Sequence, residues 1–213
     1  RDITWKRESE LENNNNSNNN TNIFPQDDIF INKIIYNKLS NPNLYSALNA
    51  LSNNPERLKK LFINSKKDST CLFGVNIGCN GNLQQVVIDD FFPLNKKHNN
   101  SKIFLTEEKG LLWPQILEKA YAKVFGSYNL ISERSMESIL KDLTCAPVIT
   151  IDSFGDNLSK ELLEAFKKNW IIMAGAGDTV ASEDLLRDLG LPPNADHEIS
   201  LVYKLTEENI NQS

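Results

Sequence analysis

Two stretches in the first half of the chain carry apolar residues at helical spacing. The stretch NLYSALNALSNNPERLKKLF predicts two consecutive helices, of which the second starts at Pro55. The stretch LLWPQILEKAYAKVFGSY predicts a longer helix that ends at Gly126, because glycine commonly follows the last helical turn. The apolar faces consist of Leu44, Ala47, Leu48, Leu51, Leu58, Leu61 and Phe62 in the first pair, and of Leu112, Ile116, Leu117, Ala120, Tyr121 and Val124 in the longer helix. We expect Leu48, Leu117, Ala120 and Tyr121 to be core residues.

Runs rich in Val, Ile and Phe predict strands. CLFGVNI and LQQVVIDDFFPL flank a glycine- and asparagine-containing segment at 78–82, which is typical of a β-hairpin. In the second half, PVITID, WIIMAGAG and HEISLVYKL predict strands, the middle one buried. SKELLEAFKKN predicts an amphipathic helix capped by Ser159. The sequence therefore predicts an α+β fold with a mainly helical first lobe and a mixed α/β second lobe that meet at a cleft.

The tract NNNNSNNN at 13–20 supplies no apolar surface, and its side chains compete for backbone hydrogen bonds. We expect it to be a disordered surface loop. The chain then divides into an N-terminal arm (residues 1–12), an Asn-rich disordered insert (13–22), a first lobe (23–146) and a second lobe (147–213).

Charge and hydropathy argue against two classes of partner. The formal net charge is -5, and Lys and Arg are scattered among Asp and Glu, so the chain has no basic footprint for nucleic acid. No apolar run approaches the roughly 20 residues of a membrane span, and no signal-peptide core precedes the body. We expect a soluble, cytoplasmic protein that binds neither nucleic acid nor membranes.

The metal-binding and redox-active residues are sparse. Cys71, Cys79 and Cys145 are odd in number and lack C-x-x-C spacing, which predicts reduced thiols rather than a disulfide framework. The two histidines, His98 and His197, stand apart from each other and from any paired cysteines. Zinc needs about four ligands within tetrahedral reach, so we expect no zinc site and no other cofactor.

Several stretches together resemble the catalytic core of calpains, the calcium-dependent papain-like cysteine proteases. WKRESEL resembles the N-terminal segment of that core, and SALNALSNNPERLKKLF resembles its nucleophile helix and the helix after it. VVIDDFFPL resembles its hairpin, LEKAYAKVFGSY its signature helix, and DLTCAP the end of its first lobe. HEISL resembles the strand that opens with the catalytic histidine. The resemblance implies a two-lobed papain-like fold whose second lobe is truncated at its C-terminal end.

The resemblance also locates the positions of the family's chemistry. In the family, the nucleophilic cysteine begins a helix, six residues after an oxyanion-hole glutamine. Here Pro42 stands at the cysteine and Tyr36 at the glutamine, while Asn41 and Asn43 flank Pro42 where the family has aspartate and tryptophan. Proline carries no nucleophile, and tyrosine lacks the amide donor. Because the first helical position tolerates proline and Asn41 is a good N-cap, the resemblance implies a helix start that is kept while its reactivity is lost.

The remaining family positions are also incomplete. His197 matches the catalytic histidine, with Ser200 three residues on, but the 213 residues contain no Asn-Pro-Trp-Gly segment to supply the family's orienting asparagine. A calcium-ligand position maps near Lys33, whose positive charge opposes Ca²⁺. Asp89 and Asp90 form an acidic pair that is more typical of a turn than of a metal site. We expect no catalytic, cofactor or metal site, with Pro42 and Tyr36 as vacated positions and His197 as a remnant.

Three functions follow as hypotheses. The first is a non-catalytic calpain-like domain, a pseudoprotease, that serves as a protein-interaction or structural module of a larger protein and binds other proteins within a large assembly. The resemblance, with the Asn-rich insert, suggests a protist protein of the cilium, axoneme or cytoskeleton. The second is an active calcium-dependent cysteine endopeptidase with a displaced nucleophile, Cys71, Cys79 or Cys145. The third is a small-molecule binder at WIIMAGAGDTVASEDLL, where Gly175 and Gly177 imitate a phosphate loop but Val180 replaces a third glycine.

Overall fold

The computed structural model describes residues 2–10, 23–25, 34–37, 39–98, 100–107, 111–151, 157–175 and 196–198. The helices are α1 (Pro42–Ser52), α2 (Pro55–Lys59), α3 (Trp113–Phe125), α4 (Tyr128–Ile131), α5 (Met136–Thr144) and α6 (Leu158–Lys167). The strands are β1 (Ile3–Arg7), β2 (Ile34–Ile35), β3 (Leu72–Cys79), β4 (Asn82–Asp89), β5 (Phe91–Asn95), β6 (Ser101–Lys102), β7 (Thr106–Glu107), β8 (Met173–Gly175) and β9 (Asp196–Glu198). The chain divides into two compact units, residues 1–148 and residues 149–213.

The helices predicted in the first half are confirmed. Both α1 and α2 begin at a proline that follows an asparagine cap. Helix α3 ends at Phe125, and Gly126 follows it with a φ of 108°, a conformation that glycine adopts at little cost. The four predicted core residues, Leu48, Leu117, Ala120 and Tyr121, are all fully buried. The core of the first unit therefore lies where the helical spacing placed it, although Val124 is only half-buried.

The predicted hairpin is also confirmed. Strands β3 and β4 pair in antiparallel register from Leu72 opposite Asp89 to Cys79 opposite Asn82. Asn80 and Gly81 connect them with φ values of 51° and 79°. A two-residue hairpin turn of this hand needs positive φ at both positions, and asparagine and glycine are the residues that tolerate it best.

The stretch LQQVVIDDFFPL is not one strand but two, β4 and β5, divided at Asp90. Strand β5 leaves the hairpin and pairs with β1, from Ile3 opposite Asn95 to Arg7 opposite Phe91. It also pairs with β6, so the three strands form one sheet in the order β1-β5-β6. The N-terminal arm is therefore part of a sheet, a role that its short and partly exposed sequence did not reveal.

Two of the second-half predictions are wrong in detail. Residues 147–151 form no strand, and the side chains of Ile149 and Ile151 are largely exposed, since no partner strand covers them within the described residues. Helix α6 begins at Leu158 after Asn157, so Ser159 lies inside the helix and does not cap it.

The remaining second-half predictions fall partly outside the described residues. Among the described residues of the predicted strand WIIMAGAG, those of β8 are extended and pair with β9, and they are partly to largely exposed rather than buried. Of HEISLVYKL, only the residues within β9 are described. The Asn-rich tract at 13–20 lies outside the described residues.

The first unit combines α1 to α5 with β1 to β7, so the described part of the chain has mixed α/β content there rather than a mainly helical lobe. The sequence analysis predicted too few strands in this unit, because three of them, β2, β6 and β7, have only two residues each. An alternation of apolar and polar residues cannot be recognised over so short a length.

Candidate functional site

The start of α1 is a well-capped helix terminus. The side-chain Oδ1 of Asn41 accepts the N–H of Leu44 at 2.9 Å, and the Asn41 carbonyl accepts the N–H of Tyr45 at 3.0 Å. Pro42 occupies the first helical position and is exposed. Its missing N–H costs nothing there, because that N–H would have no partner within the helix. The predicted asparagine cap is confirmed, and Pro42, which the sequence resemblance aligns with the family nucleophile, lies at a regular helix start.

The same terminus is hydrogen-bonded to the last residue of α4 and to the segment that follows it. The Nδ2 of Asn41, a residue that is almost fully buried, donates to the carbonyl of Ile131. The Nδ2 of Asn43 donates to the carbonyl of Arg134 at 3.0 Å. Both amides are therefore engaged in holding the helix in place, as expected of buried polar groups.

The segment before α1 forms a tight turn that rests on β7 and the residues before it. The N–H of Ser40 donates to the carbonyl of Asn37 at 3.0 Å, and the N–H of Leu39 donates to the carbonyl of Ile103 at 3.0 Å. The Asn37 side-chain Nδ2 donates to the Phe104 carbonyl at 2.6 Å and to Thr106 Oγ1 at 3.2 Å. This amide, one residue after Tyr36, thus points into the fold and is already bonded.

Tyr36 lies just after β2 and is 47% exposed. Its ring meets that of Tyr45, on α1, edge to face with 5.5 Å between the ring centroids. The aromatic pair is therefore formed beside the start of α1, and no side-chain amide occupies position 36.

Glu118 on α3 lies beneath this region and was not singled out from the sequence. Its Oε2 accepts the N–H of Leu105 at 2.7 Å, and its side chain is almost fully buried. Burial raises the pKa of the Glu118 carboxyl to about 8, and the N–H groups of Leu105 and Asn41, which face it, only partly offset that effect. Glu118 is therefore protonated at neutral pH. The one sequence feature that could have indicated a buried carboxyl was a single glutamate between the apolar positions of a helix.

His197 belongs to β9 in the second unit, where its backbone lies opposite Ala174 of β8. Pro42 and Tyr36 belong to the first unit. The predicted strand start at the histidine is confirmed to the extent that residues 196–198 are extended. Ser200, Lys33, Gly177 and Val180 lie outside the described residues.

None of the three cysteines begins a helix. Cys71 lies in a turn before β3 with a φ of 52°, and its thiol contacts the carbonyl of Asp68 at 3.7 Å. Cys79 is the last residue of β3. Cys145 caps the C-terminal end of α5 in the left-handed conformation. All three are free thiols.

The acidic pair at the end of the hairpin is neutralised by cations of the protein itself. Asp90 is fully buried and pairs with Arg7 at 2.6 Å and Lys67 at 3.2 Å. Asp89 contacts Lys119; burial alone would raise the pKa of Asp89, but this contact and the N–H of Phe91 hold it below its usual value. Among the described residues, no three His, Cys, Asp or Glu side chains are grouped as metal ligands.

Within the described ranges, no helix combines the length and apolar character that crossing a membrane requires.

Comparison with known proteins gives a consistent result. The model of the family described as "Calpain family cysteine protease" matches residues 1–208. Calpain-14 of Homo sapiens is 35% identical over 97 residues, which cover 45% of this chain and 13% of that protein. Calpain-13 of Rattus norvegicus is 32% identical over 111 residues, covering 50% of this chain and 16% of that protein.

A longer match is to calpain-5 of Caenorhabditis elegans, which is 25% identical over an alignment of 236 positions. That alignment covers 99% of this chain and 34% of calpain-5. The chain thus spans about a third or less of each of these three relatives. Because the family model matches nearly the whole sequence, the chain belongs to the calpain family of cysteine proteases.

Proposed function

We propose that this calpain-family chain is a non-catalytic protein-interaction module, built as a two-lobed papain-like core with lobes at residues 23–146 and 147–213. The observation that carries the proposal is Pro42 at the first position of α1. A papain-like cysteine at this position is activated by the helix dipole and the free N–H groups, which favour the thiolate. Proline keeps the helix start and provides no atom that could attack a peptide.

The loss extends beyond one residue, which supports an inactive domain rather than a site with one replaced group. Tyr36 provides no amide at the oxyanion position, and the neighbouring amide of Asn37 is bonded to Phe104 and Thr106. An oxyanion donor is typically worth about 3 kcal/mol of transition-state stabilisation. The family mechanism would therefore lack both its nucleophile and this donor.

The alternative is an endopeptidase with a displaced cysteine, and the positions of the thiols weigh against it. A thiolate needs a helix N-terminus, a cation or a histidine beside it. Cys145 lies at the C-terminal end of α5 and not at a helix N-terminus. Cys71 lies in a turn and Cys79 at a strand end, so neither gains a helix N-terminus.

A role in binding other proteins is supported by the surface beside the vacated position. Tyr36 and Leu39 are 47% and 51% exposed, and Pro42 is exposed next to them. Exposed aromatic and aliphatic side chains on a fixed turn suit contact with another protein, where tyrosine is enriched. A cytoplasmic, ciliary or axonemal location stays a prediction.

The test is peptidase activity of the wild-type chain on a generic calpain substrate, with and without millimolar Ca²⁺. A matched variant replaces Cys71, Cys79 and Cys145 by serine, and both proteins are treated with a thiol-directed activity probe. We expect no turnover and no selective labelling in either. Calcium-dependent turnover that disappears in the triple variant would establish the displaced-nucleophile alternative instead.

A further inference from the structure

We infer that a buried recess beneath the start of α1 binds internal water, which bridges Gln115 and Glu118. The recess, called here the Glu118 recess, is lined by Phe92, Pro93, Lys102, Phe104, Leu105, Gln115, Glu118 and Tyr128. It lies outside the vacated nucleophile position and involves none of the family's catalytic residues.

Two buried side chains leave polar atoms facing the recess. Gln115 is 4% exposed and Glu118 is 1% exposed. In the part of the chain that the structure describes, Gln115 Nε2, Gln115 Oε1 and Glu118 Oε1 have no hydrogen-bond partner. The two residues stand three apart on α3, so their side chains are neighbours on the same helix face. Buried polar atoms without partners are rare, and an ordered water is a common reason.

The walls and charges of the recess favour water over an ion. The rings of Phe104 and Tyr128 stack with 3.9 Å between their centroids, and Phe92 and Pro93 add further apolar wall. Glu118, protonated at neutral pH, offers no formal charge to a cation. Lys102, the cation that lines the recess, already pairs with Glu8 at 2.8 Å. A small neutral molecule that both donates and accepts hydrogen bonds satisfies the amide and the carboxyl together.

Water in this position stabilises the hydrogen bonds that hold the start of α1 in place. Glu118 Oε2 holds the N–H of Leu105, and the carboxyl also faces the N–H of Asn41, the cap of α1. Because Oε2 of the neutral carboxyl accepts the N–H of Leu105, a water that accepts the proton from Oε1 and donates to Gln115 Oε1 completes the hydrogen bonding of the carboxyl. The recess thereby becomes one polar unit that positions the helix start, independently of whether the domain binds partners.

The direct test is a high-resolution crystal structure of the wild-type chain together with water-to-amide NOE measurements on the Gln115 side chain. We expect ordered water within hydrogen-bond distance of Gln115 and Glu118, and NOE contacts of the long-lived water to the Gln115 amide protons. A dry recess, or a Gln115 amide bonded to a protein group, would overturn the inference.

A titration tests the same point in solution. Gln115→Met removes the amide, and Gln85→Met makes the same change on the exposed face of β4 as the control. We expect Gln115→Met to shift the pKa of Glu118 upward, because the carboxylate loses its hydrating water, whereas Gln85→Met leaves that pKa unchanged. Equal Glu118 pKa values in all three proteins would contradict a water held by Gln115. Should Gln115→Met fail to fold, the wild-type density and NOE contacts still decide the question.

Discussion

At the scale of single residues, the start of α1 has the regular geometry of a helix N-terminus but carries no reactive side chain. Asn41 supplies the cap, and Pro42 supplies a fixed φ at the position where a helix needs no N–H. Each of these residue types suits its position on local grounds alone, with no catalytic reason for its presence. The helix start can therefore persist without a nucleophile.

Asn41→Ala is expected to destabilise the fold by about 2 to 4 kcal/mol, since it removes a helix cap and leaves the buried Ile131 carbonyl without its donor. Asn54→Ala, which removes the cap of α2 at a less buried position, should cost only about 1 kcal/mol. Urea unfolding monitored by circular dichroism gives both values. Equal losses in the two variants would show that the bond from Asn41 to Ile131 contributes nothing.

Glu118→Gln should change how stability depends on pH. The folded-state pKa of about 8 lies above the ordinary value of 4.5, so between these values the unfolded chain releases a proton that the folded chain keeps. The free energy of unfolding therefore falls as pH rises from 4.5 towards 8, by about 1.4 kcal/mol per pH unit from this group. In Glu118→Gln, the free energy of unfolding should no longer fall over this pH range. In Glu133→Gln, which changes an exposed position, it should fall as in the wild type. Parallel curves for wild type and Glu118→Gln would refute the raised pKa.

These residue-scale features were only partly visible in the sequence. The Asn-Pro start of α1 follows from rules that concern adjacent residues. The environments of Glu118 and Asp90 cannot be predicted by such rules, because their partners are distant in the chain. Glu118 bonds to Leu105, and Asp90 pairs with Arg7 and Lys67. An acidic residue at an apolar helix face indicates that a partner exists but does not identify it.

At the scale of elements, long periodic segments were predictable and short ones were not. Helix α3 and the β3–β4 hairpin each carry their own signals, namely apolar spacing with a glycine end and an Asn-Gly turn. Strand β1 forms because β5 offers it an edge, and residues 147–151 have strand-forming side chains but no partner among the described strands. In both segments, the presence or absence of a partner strand decided whether a strand formed. The local sequence pattern contains no information about that partner.

Leu48→Asp should cost several kcal/mol, because it places an unpaired charge at a fully buried position of α1. Leu39→Asp, the same substitution at a side chain that is 51% exposed, should change the stability by about 0.5 kcal/mol or less. Thermal melting of the two variants compares them directly. A melting temperature unchanged in Leu48→Asp would mean that α1 does not pack through this face.

At the scale of the whole molecule, membership of the calpain family and the proposed loss of the nucleophile at Pro42 lead to opposite expectations about activity. The family implies a protease, whereas the helix start lacks the atom that a cysteine protease uses. A fold does not by itself determine a function, so the calpain fold can be retained for its shape and surface after its activity is lost.

The most direct test of that proposal is cleavage of a generic calpain peptide by Pro42→Cys, measured beside wild type and the Tyr36→Gln/Pro42→Cys pair, each with and without millimolar Ca²⁺. Cysteine fits the first helical position, so the single variant should fold and present a thiol at the helix start. We predict no turnover by wild type, which has no thiol at the helix start, and turnover by Pro42→Cys at least about 10²-fold below that of the Tyr36→Gln/Pro42→Cys pair, because position 36 still lacks the amide donor that the oxyanion needs. Robust turnover by Pro42→Cys alone would contradict a distributed loss of the site, and turnover by wild type would contradict the non-catalytic assignment itself.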